Sequence, residues 1–197
     1  MFEVPHLGDA LPLVGSDPRW LPIALSDLDA VHADHLHCER KAAQSALSLI
    51  RSYPERADLV EAMARLAHDE TRHVVAVARL LTRRSQPASY DAGDGYAAAL
   101  RTHIRGKEPE RLLDRLLVFA VIEGRSAERL ELLAGALEDP KARELYASLA
   151  EAEVRHRDIF LALARDAAPE AWRARAQELA AREAEILAER TILPRVH

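Results

Sequence analysis

Apolar residues along this chain recur at intervals of three and four rather than alternating, the period of helices that bury one face. The first long helix is predicted to open at Ser26, read as an N-cap with Asp29 three residues on, and to run to about Arg51. Three more follow, from about Glu55 to Arg84, Pro109 to Leu137 and Pro140 to Ala167, with Pro54, Pro109 and Pro140 near starts, where a missing N–H does least harm. Before them, residues 1–25 hold Pro5, Pro12, Pro18 and Pro22 with Gly8 and Gly15, and predict an extended strap with little regular structure.

The stretch from Arg84 to Glu108 is too long for a tight hairpin and alanine-rich at its centre, so a crossover with a short helix near Gly95 to Ile104 is expected. After Pro169 a further amphipathic helix, about 168–190, is expected to pack on the outside. Four long helices with one long crossover between the second and third predict an all-α, ferritin-like four-helix bundle. The whole chain, 1–197, reads as one domain, with the bundle over 26–167.

One apolar stripe carries a charge. In LLVFAVIEGRSAERL, Glu123 shares its helix face with Leu116, Phe119, Ala120, Ala127 and Leu130. Glu70 lies among Met63, Leu66, Ala67, Val74 and Val77, and Glu153 among Tyr146, Leu149, Ala150 and Phe160, with Arg157 the discordant neighbour. Glu39 shares a face with His32, His35, Leu36, Ala42, Ala43 and Ala46. Burying an ionised carboxylate costs several kcal/mol unless something compensates it, so four in one core demand a cation.

Histidines complete the pattern. His73 follows Glu70 by three residues in DETRH, and His156 follows Glu153 by three in AEVRH, a spacing that aims both side chains at one point beside the helix. The halves repeat: Glu39 precedes Glu70 by 31 residues and Glu123 precedes Glu153 by 30. A single Glu-x-x-His pair reads by default as a solvated face, and EVPH at Glu3–His6 fits the spacing in a proline-broken segment where no ligand pair is expected. Two such pairs, each preceded by a core-facing glutamate, point to a metal pair held by Glu39, Glu70, His73, Glu123, Glu153 and His156. Four carboxylates and two neutral imidazoles carry a charge that two divalent ions balance. Carboxylate-rich donors favour iron or manganese over zinc.

Around these six, Asp69 is either the partner that orients a ligand histidine on a neighbouring helix or a solvated charge. His35 is expected to be a satisfied core histidine, with a hydrogen bond beside the site as its alternative. Tyr146 is expected to be a packed aromatic, with a donor or redox role as its alternative. The lone cysteine, Cys38, lies about 100° round the helix from Glu39 and is expected to be packed rather than ligating. It permits no intramolecular disulfide and points to a reducing, cytoplasmic compartment. No apolar run reaches the roughly 20 residues a membrane span needs, and the opening residues lack the pattern of a signal peptide.

The ligand pattern resembles the di-iron carboxylate proteins of the ferritin-like superfamily over about residues 26–165. Within that superfamily, DHLHCERKAA around Glu39, DETRH around Glu70 and VIEGRSAERL around Glu123 are most similar to the MiaE family, bacterial hydroxylases of 2-methylthio-N6-isopentenyladenosine in tRNA. The resemblance implies that the same six residues ligate two irons, that O2 is the co-substrate, and that tRNA is the substrate. It also implies hydroxylation of the isopentenyl group. No flavin or nicotinamide fingerprint occurs in the chain, so electrons are expected from a separate reductase. A ferritin-class iron-oxidising or storage protein, a manganese catalase and a metal-free bundle are the competing readings. The net charge of -5 argues against a uniformly basic coat, yet residues 79–115 hold eight Arg or Lys against five Asp or Glu. That stretch either contacts phosphates or forms a solvated face.

Overall fold

The computed structural model describes residues 7–197, so the EVPH segment lies outside the described residues. Among them are one turn of 3-10 helix at Leu7–Ala10 and seven α-helices: α1 (Trp20–Ser26), α2 (Leu28–Ser52), α3 (Ala57–Arg83), α4 (Gly95–Arg101), α5 (Glu110–Ala136), α6 (Pro140–Ala167) and α7 (Trp172–Glu189). The long helices pair as two hairpins, α2 with α3 and α5 with α6, each closed by a short connection. The crossover from Arg84 to Pro109 joins them and carries α4. This is the ferritin-like arrangement expected from the four periodic segments and the single long link.

Local chemistry explains where the helices begin. The Asp27 side chain accepts from Ala30 N at 3.0 Å, Asp94 from Ala97 N at 3.0 Å and Asp139 from Lys141 N at 3.0 Å, satisfying donors that a helix start leaves free. Asp27, not Ser26, therefore caps α2. Ser26 ends α1 instead, its hydroxyl donating to Ile23 O at 2.7 Å.

The expected strap needs a second correction, since residues 20–26 are helical. Pro22 falls in the first turn of α1, where its missing N–H breaks no helical bond, and Trp20 and Ala24 turn into the core. Residues between the two short helices do behave as a strap over α5. Val14 O accepts from Arg125 at 2.7 Å, and Ser16 donates to Glu128 through both its backbone N–H and its hydroxyl. Close approach is possible because α5 has Gly124 beneath the strap: a Cβ there would stand 2.8 Å from Leu13 Cδ1.

On the other flank α7 packs against α5 through Trp172, Ala176, Leu179 and Ala180. Its buried Glu183 accepts from Arg125 Nε at 2.7 Å and from the Tyr96 hydroxyl at 3.0 Å, which links α7, α5 and α4 in one buried ion pair. No helix among the described residues is long and apolar enough to cross a membrane.

Candidate metal centre

The four long helices each deliver one predicted carboxylate inward. Glu39 (α2), Glu70 (α3), Glu123 (α5) and Glu153 (α6) are all buried, as is His156, while His73 keeps a slightly exposed edge. Ligand atoms of Glu70, His73, Glu153 and His156 lie within 4.8 Å of one another. Glu39 joins them through Oε2, 3.4 Å from His73 Nδ1, and Glu123 joins through its contact with the Glu153 carboxyl. His73 and His156 stack with ring centroids 5.6 Å apart, each turning Nδ1 to the carboxylates.

What the cluster lacks is partners. Glu39 Oε1, both oxygens of Glu70, His73 Nδ1, Glu153 Oε1 and His156 Nδ1 are buried, and none makes a hydrogen bond. Short separations such as His156 Nδ1 to Glu70 Oε1 at 2.7 Å lack the alignment a hydrogen bond requires. Native interiors leave few polar atoms in this condition, and six in one place form a donor set without its acceptor of electron pairs. Carboxylate oxygens and imidazole nitrogens converging in this way fit a pair of divalent transition metals.

The charges respond to that crowding. Burial and the neighbouring Glu39 charge push Glu70 up to about 8. Burial together with Glu123 and Glu70 drives Glu153 well above the carboxylate range. Burial lowers His73, but the adjacent Glu39 and Glu70 carboxylates outweigh it and raise it to about 10. Glu39 goes the other way: burial would raise it, yet His35 and His73 hold it well below the ordinary value.

The surrounding residues divide the sequence expectations. His35 Nε2 stands 2.6 Å from Glu39 Oε1, so this histidine abuts the site rather than serving only the core. Tyr146 is likewise more than a packed ring. Its hydroxyl meets His32 Nδ1 at 2.7 Å and His35 Nδ1 at 3.4 Å, which makes a buried polar chain ending on Glu39. The signal for it was present in the sequence as His32 and His35 on the face of Glu39, but Tyr146 comes from a distant helix. Asp69 faces the histidine of the neighbouring helix, His156 Nε2, at 4.0 Å, too long for a hydrogen bond, and also sits 3.6 Å from Arg72. Cys38 stays out of the cluster and lies 3.7 Å from His197 Nδ1.

Residues 13–197 match the profile of tRNA-(MS[2]IO[6]A)-hydroxylase (MiaE). The chain belongs to the MiaE family. It is 41% identical over 179 residues to the tRNA 2-(methylsulfanyl)-N(6)-isopentenyladenosine(37) hydroxylase of Pseudomonas putida, which covers 91% of this chain and 86% of the relative. The hydroxylase of the same name from Salmonella typhimurium is 29% identical over 218 residues, covering 87% and 78%. Among solved structures, a Synechococcus protein described as having aldehyde deformylating oxygenase activity superposes with a TM-score of 0.88 at 35% identity, covering 93% of each chain. This MiaE-family chain is thus a ferritin-like oxygenase-type fold with a candidate carboxylate and histidine metal site.

Proposed function

We propose that this chain is a di-iron, O2-dependent hydroxylase of the isopentenyl group of 2-methylthio-N6-isopentenyladenosine in tRNA, working in the cytoplasm with electrons from a separate reductase. The observation that carries the reading is the set of six buried, unpartnered donor atoms on Glu39, Glu70, His73, Glu153 and His156. With Glu123 they would hold two iron ions; manganese suits the same donors and is the alternative metal. Two irons held there would supply the redox chemistry that activates O2, so that with two electrons from the reductase and two protons one oxygen atom enters a C–H bond of the substrate and the other leaves as water.

The chain's own residues supply the setting. Glu70, pushed up to about 8 in the metal-free chain, would give up its proton to become an anionic ligand, and Glu153, also raised by burial and its carboxylate neighbours, would bind metal in the same ionised form. His35 Nε2 stands against Glu39 Oε1 and helps to position that carboxylate. Phe119, Ile122 and Phe160 wall the space beside Glu123 and leave it room for little more than one water.

The test is reconstitution with Fe(II), counting metal per chain, followed by reaction with O2, a reductant and tRNA bearing the isopentenyl modification. Mass spectrometry should then find the nucleoside one oxygen heavier. A metal-loaded protein that adds no oxygen to this tRNA refutes the assignment. The apolar wall beside Glu123 and the Synechococcus neighbour favour a second reading, oxygen-dependent deformylation of an aldehyde, and incubating the same metal-loaded protein with an aldehyde, a reductant and O2 measures it directly. An iron-storage role predicts a multi-chain cage on size exclusion and Fe(II) oxidation without organic substrate.

A further inference from the structure

The two carboxylates that stand alone on their helices have different neighbours. One turn before Glu39 is His35, whereas one turn before Glu123 is Phe119. The Glu123 side opens into a narrow throat of about 30 Å³, walled by Phe119, Ile122 and Phe160, with Lys41, Ser45 and Arg101 at its outer end. Lys41, Ser45, Arg101 and Phe119 also line an open cleft of about 700 Å³ between α2, α4 and α5. Only these shared side chains therefore separate the surface cleft from a proposed ligand.

The mouth of this route is basic. Arg105, Arg111 and Arg115 complete a ring of five cations with Lys41 and Arg101, and no carboxylate lines the cleft. Arg105 is partly neutralised by Asp114 beneath it, at 2.7 Å. Arg115 is held in place by neutral partners, donating to Ser52 and Ser48 hydroxyls at 2.9 and 3.1 Å, and keeps its full charge. Arg101 and Arg111 are exposed and make no side-chain ion pair among the described residues. At the neck, Lys41 Nζ is buried with no hydrogen-bond partner, its nearest carboxylates being Asp91 at 3.7 Å and Asp94 at 3.9 Å.

Such a cleft fits a polyanion that carries an apolar appendage. We propose that RNA docks on the α4–α5 cleft, with backbone phosphates on Arg101, Arg111 and Arg115, so that the prenyl tail of one nucleoside passes Lys41 and Phe119 to reach Glu123. The proposal rests on the hydroxylase reading above for its substrate. An aldehyde would have no use for the cationic ring. As it stands, the throat holds about one water molecule, so Phe119 must swing aside for a branched five-carbon group to enter. A comparable cleft of about 710 Å³ lies between α3 and α6 and holds Arg72, Arg79 and Arg155. There Asp69 stands 3.6 Å from Arg72, and the cleft ends on the His73 imidazole rather than on an apolar passage.

The experiment measures binding, not turnover. A fluorescent anticodon stem–loop RNA without the prenyl group is titrated with the full chain by anisotropy between 50 and 200 mM salt, the range over which phosphate contacts dominate. Arg101→Ala with Arg111→Ala should weaken binding at least roughly tenfold and lower the slope of log K against log salt by about 1.4, at about 0.7 per lost single-strand contact. Arg101→Lys with Arg111→Lys should restore most of the slope. Arg72→Ala with Arg79→Ala should leave affinity within about twofold, a change too small for a lost phosphate contact. The docking face is overturned if the first pair has no effect, if the second pair carries the loss, or if the wild-type chain does not bind this RNA. Failure of the hydroxylase reading looks different: arginine-dependent RNA binding with no oxygen added to prenylated tRNA.

Discussion

Loading the centre with metal should expel protons, and the structure says how many. Glu70 sits at about 8 and His73 at about 10 in the metal-free chain. At pH 7 a group with a pKa near 8 is roughly nine-tenths protonated, and one near 10 is almost fully so. Metal binding needs both lone pairs free, so these two residues together release about two protons. Glu153, held well above the carboxylate range, adds to that number. Glu39, held well below it, contributes none. Anaerobic calorimetric titration with Fe(II) in buffers of different ionisation enthalpy reads the count directly as the slope of heat against buffer enthalpy. At least about two protons per chain are expected at pH 7 from Glu70 and His73, and the raised Glu153 and His156 can only add to that. At pH 9 Glu70 has already lost most of its proton, and the count should fall by about one. A release below about one proton at pH 7 would mean that the carboxylates are ionised and hydrated without metal, and the packed, dry cluster described above would be wrong.

Three further outcomes follow from the same contacts. Glu123→Ala should keep helix content near wild type by circular dichroism, because it removes a buried carboxylate, while metal occupancy and hydroxylation are lost; a large drop in helix signal would contradict this. Metal-free protein should lose stability as pH rises: both Glu70 (ordinarily 4.5) and His73 (ordinarily 6.5) have raised folded pKa values, so the folded state binds more protons, and each contributes about 1.4 kcal/mol of loss per pH unit between its two values. Urea midpoints that stay flat from pH 6.5 to 8 would refute it. Arg125→Met should destabilise by about 3–5 kcal/mol by leaving the buried Glu183 without its cation and with only the Tyr96 hydroxyl as partner, whereas Arg125→Met with Glu183→Leu should recover most of the loss. Equal urea midpoints for the single and double variants would sink that account.

Much of this was legible from periodicity. The four carboxylates betrayed themselves by interrupting apolar stripes, and the Glu-x-x-His spacing needed only helical geometry to become two pairs of converging donors. The crossover and α4 also followed from chain length and composition. What escaped was nonlocal. Asp27 displaced Ser26 as cap because two helices meet there, which no pattern of single positions encodes. Tyr146 reads as one more core aromatic until α6 brings its hydroxyl to His32. The basic stretch from Arg79 to Arg115 looked uniform, yet folding sends Arg79 to one cleft and Arg101, Arg105, Arg111 and Arg115 to another, where Lys41 of α2 joins them.

The internal repeat turns these details into an argument about direction. Moving from the first half to the second carries Glu39 onto Glu123, Glu70 onto Glu153 and His73 onto His156, so the ligands alone would make a symmetric centre with no preferred side. Their neighbours break that symmetry. The counterparts of His32 and His35 are Leu116 and Phe119, and the counterpart of Tyr146 is Met63. One side of the centre therefore has a buried imidazole and phenol chain touching Glu39, and the repeat-equivalent positions of the Glu123 half hold three buried apolar residues. Burial drives His32 down to about 4, so this imidazole is neutral at pH 7 and serves there as a fixed polar group. An apolar reacting group is accommodated only on the Glu123 side, since the other side would leave its hydrogen-bonding atoms unpaired. That is also the side on which the throat opens. The repeat supplies the ligands, and the positions where the repeat fails decide from which side a substrate can approach them.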